Sequence, residues 1–274
     1  MQTKIMTLFT RTPLHVGCGS SVGAVDQPVV RERHTGFPVI PGSAIKGVLA
    51  DLWNENFKRS DEGKRYFGED DNKKPSQVGA ISFGEAKLLA FPVRSARGCF
   101  AFLTSPLVLE RFKRDSGLDL PVPSEPKPME CLAGGAVVFD NKRAVVLEEY
   151  RFTCVGEFPA EWAKYLTSLA DDAVLNGGEA RFVLVSDEDL AFYAKNACQI
   201  SQHVSIDSQT GTAVEGKLFN QEEVPSETLF YLPIMLLNEC LDYGSFIARL
   251  NQSPLIQFGG KGTTGVGYCS VKIG

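Results

Sequence analysis

Strand-like and helix-like stretches follow one another along this chain without regular β–α alternation, and that order constrains the fold more than any other feature. A doubly wound parallel sheet needs a crossover helix between successive strands. An irregular succession points instead to an α+β fold with a mainly antiparallel sheet. Residues 4–9 alternate as a strand, and 100–104, 180–185, 230–237 and 268–273 read as further strands. Residues 79–93 hold a strand pair or one long strand, and 137–146 a hairpin turning at Asp140-Asn141. A second hairpin is predicted where residues 203–207 and 212–214 flank Ser208-Gln209-Thr210-Gly211, with glycine at the tip.

The helical signals lie between these strands. Ser43 stands as an N-cap before Ile45, Val48, Leu49 and Leu52 at helical spacing. Residues 107–113, 159–170 and 239–250 read as helices. Another opens at Ser186, where Asp187, Glu188 and Asp189 favour the positive end of the helix dipole. Two segments break the pattern. Residues 58–78 are dense in charge and short of apolar anchors, which predicts a surface insertion or mobile loop. Residues 121–129 carry four prolines and read as a linker or a loop that tracks along the surface.

The 274 residues suffice for one elaborated domain with a substantial core. No stretch offers the roughly 20 apolar residues of a membrane span. The N-terminus lacks the apolar core of a signal peptide, so a cytoplasmic protein without membrane partners is expected. The seven cysteines are odd in number and scattered, with no C-x-x-C pair, which fits idle thiols in a reducing compartment. His15, His34 and His203 show no zinc spacing, and no protein-built metal site is predicted. Net charge is −5, unevenly spread. Residues 1–137 carry 18 Lys/Arg and 15 Asp/Glu, a balance of +3; residues 138–274 carry 10 and 18, a balance of −8. Such asymmetry fits one basic working face, or a chance excess on a solvated surface.

Two enzyme motifs are present in form and fail in context. Gly19-Ser20-Ser21-Val22-Gly23 matches the nucleophile elbow, but Pro28 opposes the helix that must follow. The run Gly259-Gly260-Lys261-Gly262-Thr263-Thr264-Gly265-Val266-Gly267 is not a P-loop, because Lys261 is followed by glycine and only a strand's length of chain remains. Its glycines and lysine can still form a concave anion nest, and the segment alone leaves a plain turn equally open. Pro41-Gly42-Ser43-Ala44-Ile45-Lys46-Gly47 is a second phosphate candidate, since a helix N-terminus presents free N–H groups, although an ordinary capped helix would read the same.

Read in order, these segments resemble the RAMP superfamily of CRISPR proteins: T-P-L-H-V-G-C-G early, F-P-V-I-P-G-S-A-I-K-G opening a helix, and the glycine-rich run late. Residues 21–32 with His34-Thr35-Gly36 narrow the resemblance. So do Val204-Ser205-Ile206-Asp207, Thr210-Gly211-Thr212, Gly216-Lys217-Leu218-Phe219 and Glu222-Glu223-Val224-Pro225. They point to the repeating target-RNA-cleaving backbone subunit of the type III-B (Cmr) complex. Residues 58–78 and 115–150 carry no motif that adds to the resemblance.

The resemblance implies a single RAMP domain over 1–274. Its ferredoxin-like (RRM-like) palm would come from the N- and C-terminal segments, with a charged insertion near 58–78 and a β-hairpin thumb near 200–220. It implies copies of the chain in a helical filament along a guide crRNA, other Cmr subunits as partners, and a target RNA cut at each nucleotide the thumb flips out. The family's cleaving aspartate maps onto Asp26, with His15 and Glu227 ranked behind it and Tyr231 last. Arg31, Ser43, Lys46 and Gly259, Gly260, Lys261, Gly262, Thr263 and Thr264 are the candidate guide contacts. Val204 and Ile206 are candidate wedges between bases, or ordinary strand core. Cleavage would need Mg²⁺ or another divalent cation, bound only with RNA present, because one carboxylate is a poor site alone. Three other readings remain open: a sister subunit that binds RNA without cutting, a stand-alone guide-processing endonuclease, and a metabolic enzyme with a phosphate site.

Overall fold

The opening strand, β1 (Gln2–Thr10), buries Met6, Leu8 and Phe9, and in the computed structural model it lies inside the sheet rather than at its edge. The structure describes residues 2–19, 23–55, 58–69, 77–139, 143–207, 209–237, 243–253 and 255–274. After β1 comes α1 (Gly42–Asp51). Two short ladders then flank α2 (Asp61–Phe67): β2 (Asn54–Glu55) with β3 (Lys58–Arg59), and β4 (Gly68–Glu69) with β5 (Gln77–Val78). Next are β6 (Ile81–Phe83), β7 (Lys87–Ser95), β8 (Cys99–Thr104) and α3 (Pro106–Ser116). The middle of the chain supplies β9 (Glu130–Ala133), β10 (Val138–Phe139), β11 (Ala144–Leu147), β12 (Tyr150–Glu157), α4 (Ala160–Thr167), α5 (Ala173–Asn176), β13 (Phe182–Leu184) and α6 (Asp187–Asn196). The last third contributes β14 (Gln199–Ile206), β15 (Ala213–Glu223), β16 (Leu229–Leu236), α7 (Tyr243–Asn251), β17 (Leu255–Gln257) and β18 (Tyr268–Ile273).

One large mixed sheet runs in the order β10-β11-β12-β9-β13-β8-β7-β16-β1-β18-β17, with β6 also paired to β16. Its described ladders are antiparallel except β9–β12 and β8–β13. The α+β class read from the irregular succession of elements therefore holds. β1 sits between β16 and β18, so the two ends of the chain meet in the sheet. The hairpin β14–β15 stands apart as a two-stranded sheet of its own.

Several local expectations are corrected. Ser43 is not the N-cap: α1 starts at Gly42, Pro41 holds the cap position and no side chain caps it. Residue 42 suits glycine because a Cβ there would overlap the carbonyl oxygens of Phe83 and Gly84. The charged segment from 58 onward is not devoid of anchors. Ser60 caps α2 by accepting from Gly63 N at 3.1 Å, and Tyr66 and Phe67 are buried. They join Trp53, Phe83 and Phe246, with Trp53 stacked on Phe246 at 5.3 Å and Phe67 on Phe83 at 5.7 Å. Two adjacent aromatic residues at the end of a short amphipathic helix outweigh the surrounding charge, because each buries a large apolar area. Residues 70–76, the Asp140-Asn141 turn, Ser20 to Val22 of the glycine-serine motif, Ser208, residues 239–242 of the last predicted helix and Cys240 lie outside the described residues. The six described cysteines are free. Among the described residues no helix is long and apolar enough to cross a membrane.

Candidate nucleic-acid interface

The interface is built outward from β15. Its tip is turned by Asp207, whose carboxylate accepts from the N–H groups of Gln209 and Thr210 at 2.8 and 2.9 Å. Those N–H groups, Thr210's first, hold the Asp207 carboxyl below its ordinary range. Gly211 takes φ +68°, as the tight turn requires. The hairpin exceeds its predicted length, since β15 runs to Glu223 and pairs Gln199 with Glu223 at the root. Ile200, Val204, Ile206 and Leu218 are exposed, with Ile206 and Leu218 at 59% and 60%. The expectation of Val204 and Ile206 as strand core is thus set aside. On the opposite face His203 stacks on its cross-strand partner Phe219 at 5.2 Å, and Lys261 Nζ lies 5.1 Å from the Phe219 ring centre.

An unpaired strand edge invites association with another chain. At the root of β15 the outer edge is instead closed by two loops. Asn220 N donates to Asp26 Oδ2 at 2.8 Å, Gln27 N to Asn220 O at 3.1 Å, and Glu222 N to Gln27 O at 2.9 Å. Further along the same edge, His15 Nδ1 meets Glu222 O at 2.7 Å, and Leu14 and Val224 exchange two bonds of 2.8 Å. A carbonyl only accepts, so His15 Nδ1 carries a proton and donates it to this bond. The two loops also pair with each other, Val30 N donating to Val16 O at 2.9 Å. Asp26 and His15 are therefore held two residues apart along one strand edge, about 7 Å at roughly 3.4 Å per residue. Asp26 is exposed, whereas His15 is only 8% exposed, with its ring folded over Gly17, where a Cβ would overlap Nε2.

The glycine run docks on the first of these loops, the one that carries His15. Gly260 N donates to His15 O at 3.0 Å and Gly267 N to Pro13 O at 2.7 Å. Gly259 takes φ +76°, and a Cβ there would overlap the His15 carbonyl oxygen. Gln257 Nε2 lies 3.1–3.4 Å from the carbonyl oxygens of Phe258, Gly259, Gly260 and Val266, drawing them to one side. The loop is thus held at several points by main-chain and side-chain bonds. Lys261, Thr263 and Thr264 remain exposed beside Gly262, and Lys261 itself takes φ +65°.

Other predicted residues fall elsewhere. Ser43 and Lys46 are exposed on the first turns of α1, which the sheet carries beside β6. Arg31 is corrected as a guide contact, because its guanidinium is turned inward. Nη1 donates to Gly36 O and Ala194 O at 2.7 and 2.8 Å, and Nη2 to Cys198 Sγ and Glu222 Oε1 at 3.2 and 2.5 Å. Burial alone would lower its pKa, but these partners hold it above the ordinary value. Burial pushes the Cys198 thiol up to about 11, so it meets Arg31 as a protonated thiol at neutral pH. Glu227 occupies a positive-φ turn beyond Val224, where its N–H donates to Thr10 O at 2.7 Å, and it does not join Asp26. Tyr231 is in the core. Its hydroxyl donates to Asp115 Oδ2 at 3.1 Å, an oxygen also held by Lys87 at 2.7 Å, and burial pushes the phenol above its usual range. Tyr231 is thereby withdrawn from the chemistry.

Sequence reasoning missed Glu222, Asn220, Gln257 and Phe219. One signal was present: Gln221-Glu222-Glu223 is a polar run inside a strand, and all three residues are buried. Buried carboxylates need partners, which such a run foretells without naming. Among the described residues no three His, Cys, Asp or Glu side chains gather into a preformed metal site. Asp26 offers one exposed carboxylate with one oxygen engaged, which suits a hard cation completed by phosphate oxygens and waters and suits no all-protein cage.

Residues 7–270 match the model of the RAMP superfamily. The chain is 33% identical over 291 aligned positions to the CRISPR system Cmr endoribonuclease Cmr4 of Pyrococcus furiosus, covering 100% of this chain and 96% of that one. The crystal structure of oligomeric Cmr4 from Pyrococcus furiosus superposes with a TM-score of 0.74 at 28% identity, covering 100% and 98%. A chain of the type III-B Cmr-beta complex bound to cognate target RNA shares the fold with a TM-score of 0.77 at 21% identity, covering 100% and 97%.

Proposed function

Because the chain belongs to the RAMP superfamily, we propose that it is the repeating backbone subunit of a type III-B CRISPR effector, which holds guide crRNA and cleaves complementary target RNA. Copies of the chain line the guide beside other Cmr subunits in the cytoplasm. Full-length similarity to Cmr4 supports the family role. The observation that carries the activity is the docking of Asp26 on the root of a hairpin whose tip is apolar and exposed. The palm is read as ferredoxin-like. Its support is the strand order β7-β16-β1-β18, with α1 following β1 and α7 between β16 and β18. The whole chain is read as one elaborated domain, with β14–β15 as its thumb.

Guide phosphates lie along the glycine loop and the start of α1, where Lys261, Thr263, Thr264, Ser43 and Lys46 are exposed. Base pairing reads the sequence, so these contacts answer to charge and backbone shape. Val204, Ile206 and Leu218 enter between stacked bases and splay one target nucleotide out. A splayed nucleotide can bring its 2′-oxygen in line with the adjacent phosphorus, and this alignment supplies much of the rate. Asp26 takes the 2′-OH proton, the 2′-oxygen bonds to phosphorus, and the 5′-oxygen leaves with a proton from water. A divalent cation such as Mg²⁺, placed beside Asp26 by RNA phosphates and waters, would supply charge neutralisation at the scissile group. His15 acts as a positioning residue, since its buried ring bonds the hairpin root while its main-chain carbonyl accepts from the glycine loop.

The test compares wild type with Asp26→Ala in the reconstituted complex with Mg²⁺. Regularly spaced products should fall by about 10³-fold with target binding intact, within the range of a lost general base. Undiminished cleavage would move the chemistry to another residue. Loss of guide-dependent binding by the wild type would remove the functional reading.

A further inference from the structure

Glu222 touches every part of the hairpin root. Its main-chain N–H and C=O bond Gln27 and His15, and its carboxylate bonds the chain on both sides of residue 30: Oε2 accepts from Val29 N at 3.0 Å, and Oε1 from Arg31 Nη2 at 2.5 Å. The residue is 7% exposed. A carboxylate so enclosed is tolerated only with its charge paired and its lone pairs used. Both side-chain partners belong to the segment that carries Asp26, three and five residues upstream of them. Arg31 extends the clamp to Gly36 and to Ala194 at the end of α6.

Resting on the functional reading above, we propose that Glu222 is the positioning residue for Asp26. Its carboxylate, braced by Arg31, locks the 26–31 segment to β15, so that the thumb and the cleaving carboxylate move as one body. The wedge that splays a nucleotide and the group that takes its proton then keep a constant separation. Without the clamp, Asp26 is tied to the hairpin by the bonds at Asn220 and Gln27, and residues 28–30 keep only their main-chain bonds to neighbouring loops at Cys18, Val16 and Val39.

Glu222→Gln is the deciding variant. A carboxylate accepts from both Val29 N–H and Arg31, whereas an amide has one acceptor oxygen and must give up one of the two bonds. In the reconstituted complex it should assemble and bind target like wild type but cleave about tenfold more slowly at saturating target. Glu222→Ala should lose about 10²-fold, the size expected of a misplaced reacting group. The pair Arg31→Met with Glu222→Met replaces buried charge by apolar volume, and it should recover thermal stability and assembly without recovering the rate. A wild-type rate in Glu222→Gln, or full recovery of rate in the double variant, would reduce the pair to structural glue and overturn the proposal. If Glu222→Ala does not assemble, the other two variants decide. An Asp26→Ala complex that cleaves like wild type would instead sink the functional reading.

Discussion

The root and the outer part of the β14–β15 hairpin invert the usual rule of burial in opposite directions. At the root, Gln221, Glu222 and Glu223 are polar and buried; at the tip, Ile206 and Leu218 are apolar and exposed. Each inversion carries a cost. The root must satisfy enclosed carboxylates, and it does so with Val29, Arg31, Ser201 and Gln221. The tip leaves apolar surface in water, and nothing in the described chain covers it. The root's carboxylates are thus satisfied within one chain, with Gln221 Oε1 left unpartnered, while the apolar surface toward the tip is left to something from outside it. That difference separates the part that holds geometry from the part that meets the nucleic acid.

The sharpest way to break this contrast is at Gly259, on the loop that docks against the root. Alanine there is strained at φ +76° and overlaps the His15 carbonyl. Gly259→Ala should cost about 3 kcal/mol in a denaturant or thermal melt. Stability within about 0.5 kcal/mol of wild type would mean that the root is looser than its hydrogen bonds imply. The complementary change is at the tip. Ile206→Ser with Leu218→Ser should leave the melt within about 0.5 kcal/mol yet slow target cleavage about tenfold, or ~1.4 kcal/mol in the barrier. A clear loss of stability there would place the tip in the folded core and erase the distinction. The smallest effect joins the regions. A double-mutant cycle on Lys261→Ala and Phe219→Leu should return a coupling of about 0.5–1 kcal/mol for a cation over an aromatic ring. Zero coupling would detach the glycine loop from the hairpin.

Much of the local structure was legible because it rests on local physics. Ser186 accepts from Asp189 N at 3.1 Å as its sequence foretold, and β18 occupies the span expected of it. The α+β class followed from the succession of periods. Misreadings occurred where a residue's role depends on partners distant in sequence. Arg31 looks like a phosphate ligand until Gly36, Ala194, Cys198 and Glu222 take its donors. Tyr231 looks available until β7 and α3 bring Lys87 and Asp115 to it. The charge of residues 58–78 hid two aromatic anchors, because composition averages over a window while packing acts through single side chains.

By itself the sequence determined the fold class, the family resemblance and the three motifs that meet near the hairpin: the early His15 loop, the Asp26 loop and the glycine run. Only the tertiary structure decided which strand edge gathers them, that Asp26 faces outward while His15 is enclosed, and that Glu222 links both to β15. The physical reason is range. Turn chemistry, capping and periodicity act between residues a few positions apart and can be read along a line. A hydrogen bond such as that from Asn220 to Asp26 spans 194 positions, and its partners become neighbours only after the sheet and loops have closed around them.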